Sequence, residues 1–265
     1  MTATQSRHQV VSRDEWLKAR MAHLEAEKEL TRRRDELSRQ RRELPWERVE
    51  KNYVFESSTG PQTLADLFAG RSQLIVYHFM LGPNWEEGCK SCSFLADHFD
   101  ATRIHLAHRD VTFAVVSQAP MPRIQAFQKR MGWRFPWVSA FATSFQSDYG
   151  VHFTKEELAD EVNYNYRNIH FNLEEAPGLS VFYKDEAGEI FHTYSTYERG
   201  LDTLVGTYQF LDLVPKGRDE DGLAFSMSWV RHHDKYGDDY VLDPTATYQN
   251  PRETGACCKH EEGAR

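Results

Sequence analysis

The chain has 265 residues, 40% of them hydrophobic, enough to bury one large core or two small ones. Forty acidic residues against 32 basic ones give a formal charge of −8, which excludes a surface built mainly to neutralise phosphates, so no nucleic-acid partner is expected. No run approaches about eighteen apolar residues and the opening MTATQSRHQVVSRDEW has no apolar h-region, so the expectation is a cytoplasmic protein with neither membrane span nor signal peptide.

The first predicted element is a long helix. Ser12 and Glu15 are spaced as a capping box, Val11 and Trp16 as a hydrophobic staple, and Pro45 ends it. The intervening strong helix formers contain no Gly or Pro and give about 45 Å of helix. Leu30, Leu37 and Leu44 repeat at sevens, as do Leu17 and Leu24, but the two series are out of step, which argues against a continuous coiled coil. Residues 1–48 are read as a helical arm: a clamp, a homodimer contact, or a solvated charged helix.

From residue 53 short apolar runs alternate with helical ones, the pattern of an α/β domain around a mixed sheet. GPQTLADLFAG predicts a short helix capped by Thr63 and Asp66, and QLIVYHF a central strand covered on both faces. A helix is expected from Cys89 to about His108, followed by VTFAVVS as a second buried strand. MPRIQAFQKRMG supplies a crossover helix stopped by Gly132, and FPWVSAF the next short strand, parallel by the right-handed crossover preference. Residues 143–176 are too long for an ordinary connection and are read as an insertion and candidate lid. PGLSVFYKDEAGEIFHTYS predicts a β-hairpin turning near Gly188, and a last helix is expected over Gly200 to Leu213. The expected organisation is an arm over 1–48, a main domain over 49–237 and a loose tail over 238–265.

Chemistry concentrates in EEGCKSCSFLADHFD. The chain has four cysteines, too few and too unevenly placed for a disulfide scaffold, and in a reducing compartment a close pair points to catalysis or metal. A thiol is nucleophilic only as the thiolate, which the unpaired N–H groups of a helix start stabilise. Cys89 stands at such a start beside Lys90, and Cys92 lies one turn further on, within reach of a reversible disulfide. The expected roles are Cys89 as attacking and Cys92 as resolving thiol. Trp85, in the loop before the pair, is expected to shape the thiol pocket against a substrate.

GRSQLIVYHFMLGPNWEEGCKSCSFLADHFD, MGWRFPWVSAF, FHTYSTYERGLD and WVRHHDKYG resemble the domain-of-unknown-function 899 family, a bacterial thioredoxin-like group, over about residues 9–237. The section from VVSQAPMPRIQAFQKRMGWRFPWVSAF to DYGV is similar in layout to the peroxiredoxin and alkyl hydroperoxide reductase branch. The resemblance implies an α/β thioredoxin-like fold with a mixed central sheet. In such folds a proline at a strand start, often cis, helps hold the partner chain, and Pro177 stands in the corresponding place. Two departures bear on the reaction: Glu86 stands where peroxiredoxins hold a threonine three residues before their peroxidatic cysteine, and the pair is CKSC rather than CGPC.

The expected activity is thiol–disulfide oxidoreduction on a protein or small-molecule disulfide, with an external reductant and no cofactor. Two alternatives use the same residues: a thiol peroxidase, and a scaffold whose thiols are idle. The main metal alternative joins Cys89 and Cys92 to Cys257, Cys258 and His260 in a zinc site, disfavoured because adjacent cysteines chelate one tetrahedral ion poorly; no metal is expected. His232, His233 and Asp234 are read as a polar turn or docking strip, His78 as a satisfied core histidine and His98 as structural. Tyr149, Phe153, Tyr164 and Tyr166 either line a groove above the thiols or anchor the insertion.

Overall fold

A computed structural model describes residues 8–236, which divide after Pro45 into two compact units. The first is helix α1 (Arg13–Arg42), whose capping box forms: Glu15 N–H donates to Ser12 Oγ at 3.3 Å and Ser12 N–H donates to the Glu15 carboxylate at 3.0 Å. None of its residues is buried. Glu29 pairs with Arg32 and Arg33, and Glu36 with Arg39, at the three- and four-residue spacings that bring helical side chains together.

The second unit is a layered α/β domain. In chain order it contains β1 (Glu47–Arg48), β2 (Val54–Ser57), β3 (Gly60–Thr63), α2 (Leu64–Leu67), β4 (Gln73–His78), α3 (Lys90–Ala96), α4 (Phe99–Ala107) and β5 (Val111–Ser117). There follow α5 (Met121–Met131), β6 (Trp137–Ser139), α6 (Phe145–Asp148), β7 (Val162–Tyr164), β8 (Arg167–Ile169), β9 (Gly178–Lys184), β10 (Ile190–Tyr197) and α7 (Gly206–Leu211). Eight strands form one mixed sheet in the order β1-β10-β9-β4-β5-β6-β2-β3, with β4, β5 and β6 parallel and the other pairings antiparallel. Because Glu47 and Arg48 pair with β10, the main domain starts before residue 49.

Alternation along the central strands divides the core in two. Leu74, Val76, Ala114 and Val116 face one layer with Phe55, Phe145 and Phe182. Tyr77, Phe113 and Val115 face the other, with Phe94, Phe99, Phe127 and Trp137. The apolar run of β4 therefore serves two cores, as a doubly covered central strand should. Thr63 and Asp66 close the second capping box, Gly132 ends α5 in the left-handed conformation at φ 68°, and the β9–β10 hairpin turns through Gly188 at φ 86°.

Two expectations are corrected. The helix after the cysteines breaks at Asp97 and His98 because tertiary bonds pin that turn: the Asp97 carboxylate accepts from the Trp133 indole at 2.9 Å, and Thr207 N–H donates to His98 Nε2 at 3.3 Å. The last helix is a 3-10 segment, Glu198–Leu204, followed by the short α7. The insertion is a folded subunit of the domain, with α6, the β7–β8 hairpin and a small core of Val151, Phe153, Val162, Tyr164, Ala176 and Tyr197. Its aromatics anchor it, and none of the four named above lines the space over the thiols. Cys257, Cys258 and His260 lie outside the described residues, as does the 238–265 segment.

Candidate dithiol site

The site begins where β4 runs out. Past His78 the chain continues through Phe79, Met80 and Leu81, all buried, and turns back over residues 82–88 to deliver Cys89 to the start of α3. The return is pressed onto the core: a Cβ on Gly88 would lie 2.5 Å from the Phe79 ring and 2.6 Å from Phe127, so only glycine fits. Cys89 N–H donates to the Met80 carbonyl at 3.0 Å, and the Cys89 carbonyl accepts from both the N–H and the hydroxyl of Ser93 at 2.9 Å. These bonds fix Cys89 as the N-cap residue of α3.

The two sulfurs occupy contrasting surroundings. Cys92 is buried at 2% exposure, and Cys89 is half-buried at the edge of the same core. The neighbouring Cys92 thiol, the backbone N–H groups of Cys92 and Ser91 at the start of α3, and the positive charge of Lys90 all favour the Cys89 thiolate. Together these outweigh its desolvation and bring its pKa down to about 6. Cys92 moves the other way. Burial, its bond to Cys89 and the Cys89 charge push its pKa well up, against smaller help for its thiolate from the Tyr77 hydroxyl and Met80 N–H. Their surroundings thus favour a thiolate at Cys89 and a thiol at Cys92.

A cavity of about 1010 Å³ opens in front of Cys89 and Cys92. Its inner wall includes Tyr77, Met80, Leu95 and Leu201, and Phe171 and Leu173 reach it from the insertion. Pro177 lines it as well. No peptide among the described residues is cis, so the bond before Pro177 is trans. The Pro177 carbonyl already accepts from Tyr164 Oη at 2.7 Å, and Ala176 N–H donates to the Val151 carbonyl at 2.9 Å, so Pro177 offers its ring to the cavity more than a free backbone edge. Trp85 lies elsewhere: its ring covers Gly82, its carbonyl accepts from Arg123, and it does not line this cavity.

Behind the cysteine loop stands the WVRHHDKY segment, Trp229 to Tyr236. His232, 2% exposed, donates from Nε2 to the Gly88 carbonyl at 2.9 Å, while its Nδ1 faces Arg130 at 3.4 Å. Burial lowers its pKa, so the neutral ring with the proton on Nε2 fits both partners. Arg130 binds Glu87 and, at 2.8 Å, Asp234; Lys235 reaches Glu87 at 2.7 Å, and His233 reaches Asp97 at 2.6 Å. This strap is what the sequence reading missed. The sequence marks these residues as a polar turn or docking strip, but no local spacing relates His232 to Gly88 across 144 positions. His78 is fully buried between Gln146 at 2.6 Å and Ser180 at 2.9 Å, on the other face of the sheet, with burial lowering its pKa to about 4. Among the described residues no three metal-ligating side chains converge, and no helix is long and apolar enough to cross a membrane.

A parallel β4–β5–β6 core, an antiparallel β9–β10 hairpin on its far side, and a CxxC at the helix tip after β4 define a thioredoxin-like α/β protein. The chain belongs to the family described as bacterial protein of unknown function (DUF899), whose model matches residues 5–236. Its fold is similar to those of a peroxidoxin BcpB from Mycobacterium tuberculosis (13% identity, 62% of this chain and 95% of that one, TM-score 0.42) and a peroxiredoxin Q from Xanthomonas campestris (15%, 62% and 95%, 0.43). A secreted disulfide oxidoreductase from M. tuberculosis, homologous to E. coli DsbE, matches at 16% identity over 58% of this chain and 92% of its own, with a TM-score of 0.33. No curated protein matches the sequence.

Proposed function

We propose that the protein is a thiol–disulfide oxidoreductase in which Cys89 attacks and Cys92 resolves. The observation that carries this reading is the asymmetry of the pair: a half-buried sulfur at the N-cap of α3 facing a cavity, and a buried sulfur three residues on, with surroundings that favour the thiolate at the first and the thiol at the second. The Cys89 thiolate attacks one sulfur of a substrate disulfide, forming a mixed disulfide and expelling one substrate thiolate. Once Cys89 is bonded its charge is gone, and two of the three causes that raise the Cys92 pKa go with it. Cys92 then gives its proton to the first departing thiolate, attacks the Cys89 sulfur and expels the second substrate thiolate, which takes its proton from water. One substrate disulfide becomes two thiols, two electrons leave the protein, and the Cys89–Cys92 disulfide is returned to the dithiol by an external thiol reductant through the same exchange.

The test is carried out on the full chain with Cys257→Ser and Cys258→Ser, so that only the pair reports. Alkylation of Cys89 should rise through about pH 6, where an ordinary thiol rises near about 8.5. Hydroxyethyl disulfide should be reduced with dithiothreitol as donor, Cys89→Ser should abolish turnover, and Cys92→Ser should accumulate the mixed disulfide by mass spectrometry. A Cys89 inert at pH 7 sinks the reading. Hydroperoxide consumption outpacing disulfide reduction would transfer the site to a peroxidase, in which Cys92 closes on a Cys89 sulfenic acid.

A further inference from the structure

The dithiol cavity is apolar at its inner wall and acidic at its mouth. Six carboxylates line it, Glu198, Asp202, Asp212, Asp219, Glu220 and Asp221, against three cations, Arg199, Lys216 and Arg218. The cations are unevenly spent. Arg199 and Arg218 both bind Asp202, each at 3.0 Å, and Arg218 also binds Asp212 at 2.8 Å; Glu198 is bound by Arg167 from outside the cavity at 2.9 Å. Asp219, Glu220 and Asp221 have no cationic partner among the described residues, and the one cation of the lining left without an ion pair is Lys216.

Glu220 is the most firmly built of the three. Its Oε1 accepts from the Tyr208 hydroxyl at 2.6 Å, the Trp229 indole at 2.6 Å and Met227 N–H at 3.0 Å, three neutral donors that orient the carboxylate without cancelling its charge. Its Oε2 has no hydrogen-bond partner among the described residues. The Tyr208 and Trp229 rings pack edge-on against Phe94 at 5.4 and 5.5 Å, so the residue two places after Cys92 supports the donors that hold Glu220. One element, α3, thus sets both the sulfurs and the carboxylate facing the same cavity.

We infer that the site selects disulfides carrying positive charge, ammonium or guanidinium groups flanking the S–S bond, over neutral and anionic ones. The inference rests on the oxidoreductase reading above and names its substrate class. A cleft with low-dielectric walls and one sign of uncompensated charge concentrates the opposite sign, raising association rates by about 10- to 1000-fold, and it repels a carboxylate-bearing disulfide equally. The protonated amine meets the Glu220, Asp219 and Asp221 carboxylates while the apolar wall takes the carbon chain and places the S–S bond at Cys89. The exchange is the one already balanced above, with the cationic thiol as leaving group.

Single-turnover oxidation of the reduced Cys257→Ser/Cys258→Ser protein, followed by tryptophan fluorescence, compares cystamine (dication), hydroxyethyl disulfide (neutral) and dithiodipropionate (dianion). Each rate is divided by that of the same disulfide with free dithiothreitol. Cystamine should exceed dithiodipropionate by at least about tenfold at 0.01 M salt, and the ratio should collapse at 1 M, where the screening length falls from about 30 Å to about 3 Å. Asp219→Asn with Asp221→Asn, and separately Glu220→Gln, should each shrink the cystamine-to-hydroxyethyl ratio. Lys216→Gln should enlarge it, a sign that a merely structural disturbance would not give. Equal normalised rates for the three disulfides at low salt overturn the charge selection and leave the oxidoreductase reading in place; no oxidation by any of the three overturns both.

Discussion

The cysteine loop and the N-terminal helix are held by opposite means. Helix α1 has no buried residue and depends on terms within a few positions of each other: a capping box at one end and Glu–Arg pairs along its length. The loop over residues 82–89 depends on partners far along the chain: Phe127 under Gly88, His232 on the Gly88 carbonyl, Arg130 and Lys235 on Glu87. A locally determined segment keeps its shape but positions little beyond itself. A loop fixed by distant groups can hold a sulfur against its solvation preference, which a reactive thiolate requires.

Breaking the loop's packing should have the largest effect. In Gly88→Ala the added methyl would stand under 3.0 Å from two core rings that have no room to retreat, an overpacking cost of about 1–3 kcal/mol or more. Thermal unfolding should drop by several degrees, and the Cys89 alkylation midpoint should move up toward about 8.5 as the sulfur is displaced from the start of α3. Unchanged melting and unchanged reactivity together would show that the loop is not set by this contact.

The strap comes next. His232→Ala leaves the Gly88 carbonyl without its buried donor, worth about 1–3 kcal/mol, and should raise the same midpoint by a smaller step. Wild-type protein offers a milder version of this change. Burial keeps the His232 pKa below its ordinary 6.5, so the folded ring binds its proton less readily than the unfolded one. Its contribution is complete above about pH 6.5 and is lost as pH falls below that value, because the unfolded chain then takes up protons first. Hydrogen-exchange protection at the Cys89 N–H, corrected for intrinsic rates, should therefore weaken between pH 7 and 5. The α1 carboxylates Glu15, Glu29 and Glu36 have lowered pKa values, and their contribution persists until the pH drops below their ordinary 4.5, so α1 helicity should hold through that window. Loss of both at the same pH would erase the distinction.

The same division explains what could be read from the sequence. Both capping boxes, the Gly132 stop and the Gly188 turn were legible because each is written within a few residues. The two buried strands showed as apolar runs, and the cysteine spacing with the helix behind it marked the dithiol. Trp85 misled because proximity in sequence stood in for proximity in space: its ring covers Gly82, and the cavity is instead closed by residues up to Met227. The break at Asp97 was illegible because its causes, Trp133 and Thr207, lie 36 residues and more away.

The smallest expected effect is also the cleanest control. Ser12→Ala removes the Oγ that accepts from Glu15 N–H, and it takes away the hydroxyl that also donates to the Glu15 carboxylate at 2.7 Å. Loss of such an N-cap costs about 0.5–2 kcal/mol of local helix stability, and in a helix with no buried residue that cost falls on the first turn, where it appears as fraying. Circular dichroism should show a slight loss of helicity, and exchange should quicken at the α1 N-terminus. The Cys89 alkylation profile should superimpose on that of the wild type, because none of the bonds that hold Cys89, its N–H to the Met80 carbonyl and its carbonyl from Ser93, involves α1. A shifted profile in Ser12→Ala would mean that the arm reaches the thiolate energetically, and that the two regions are one cooperative structure.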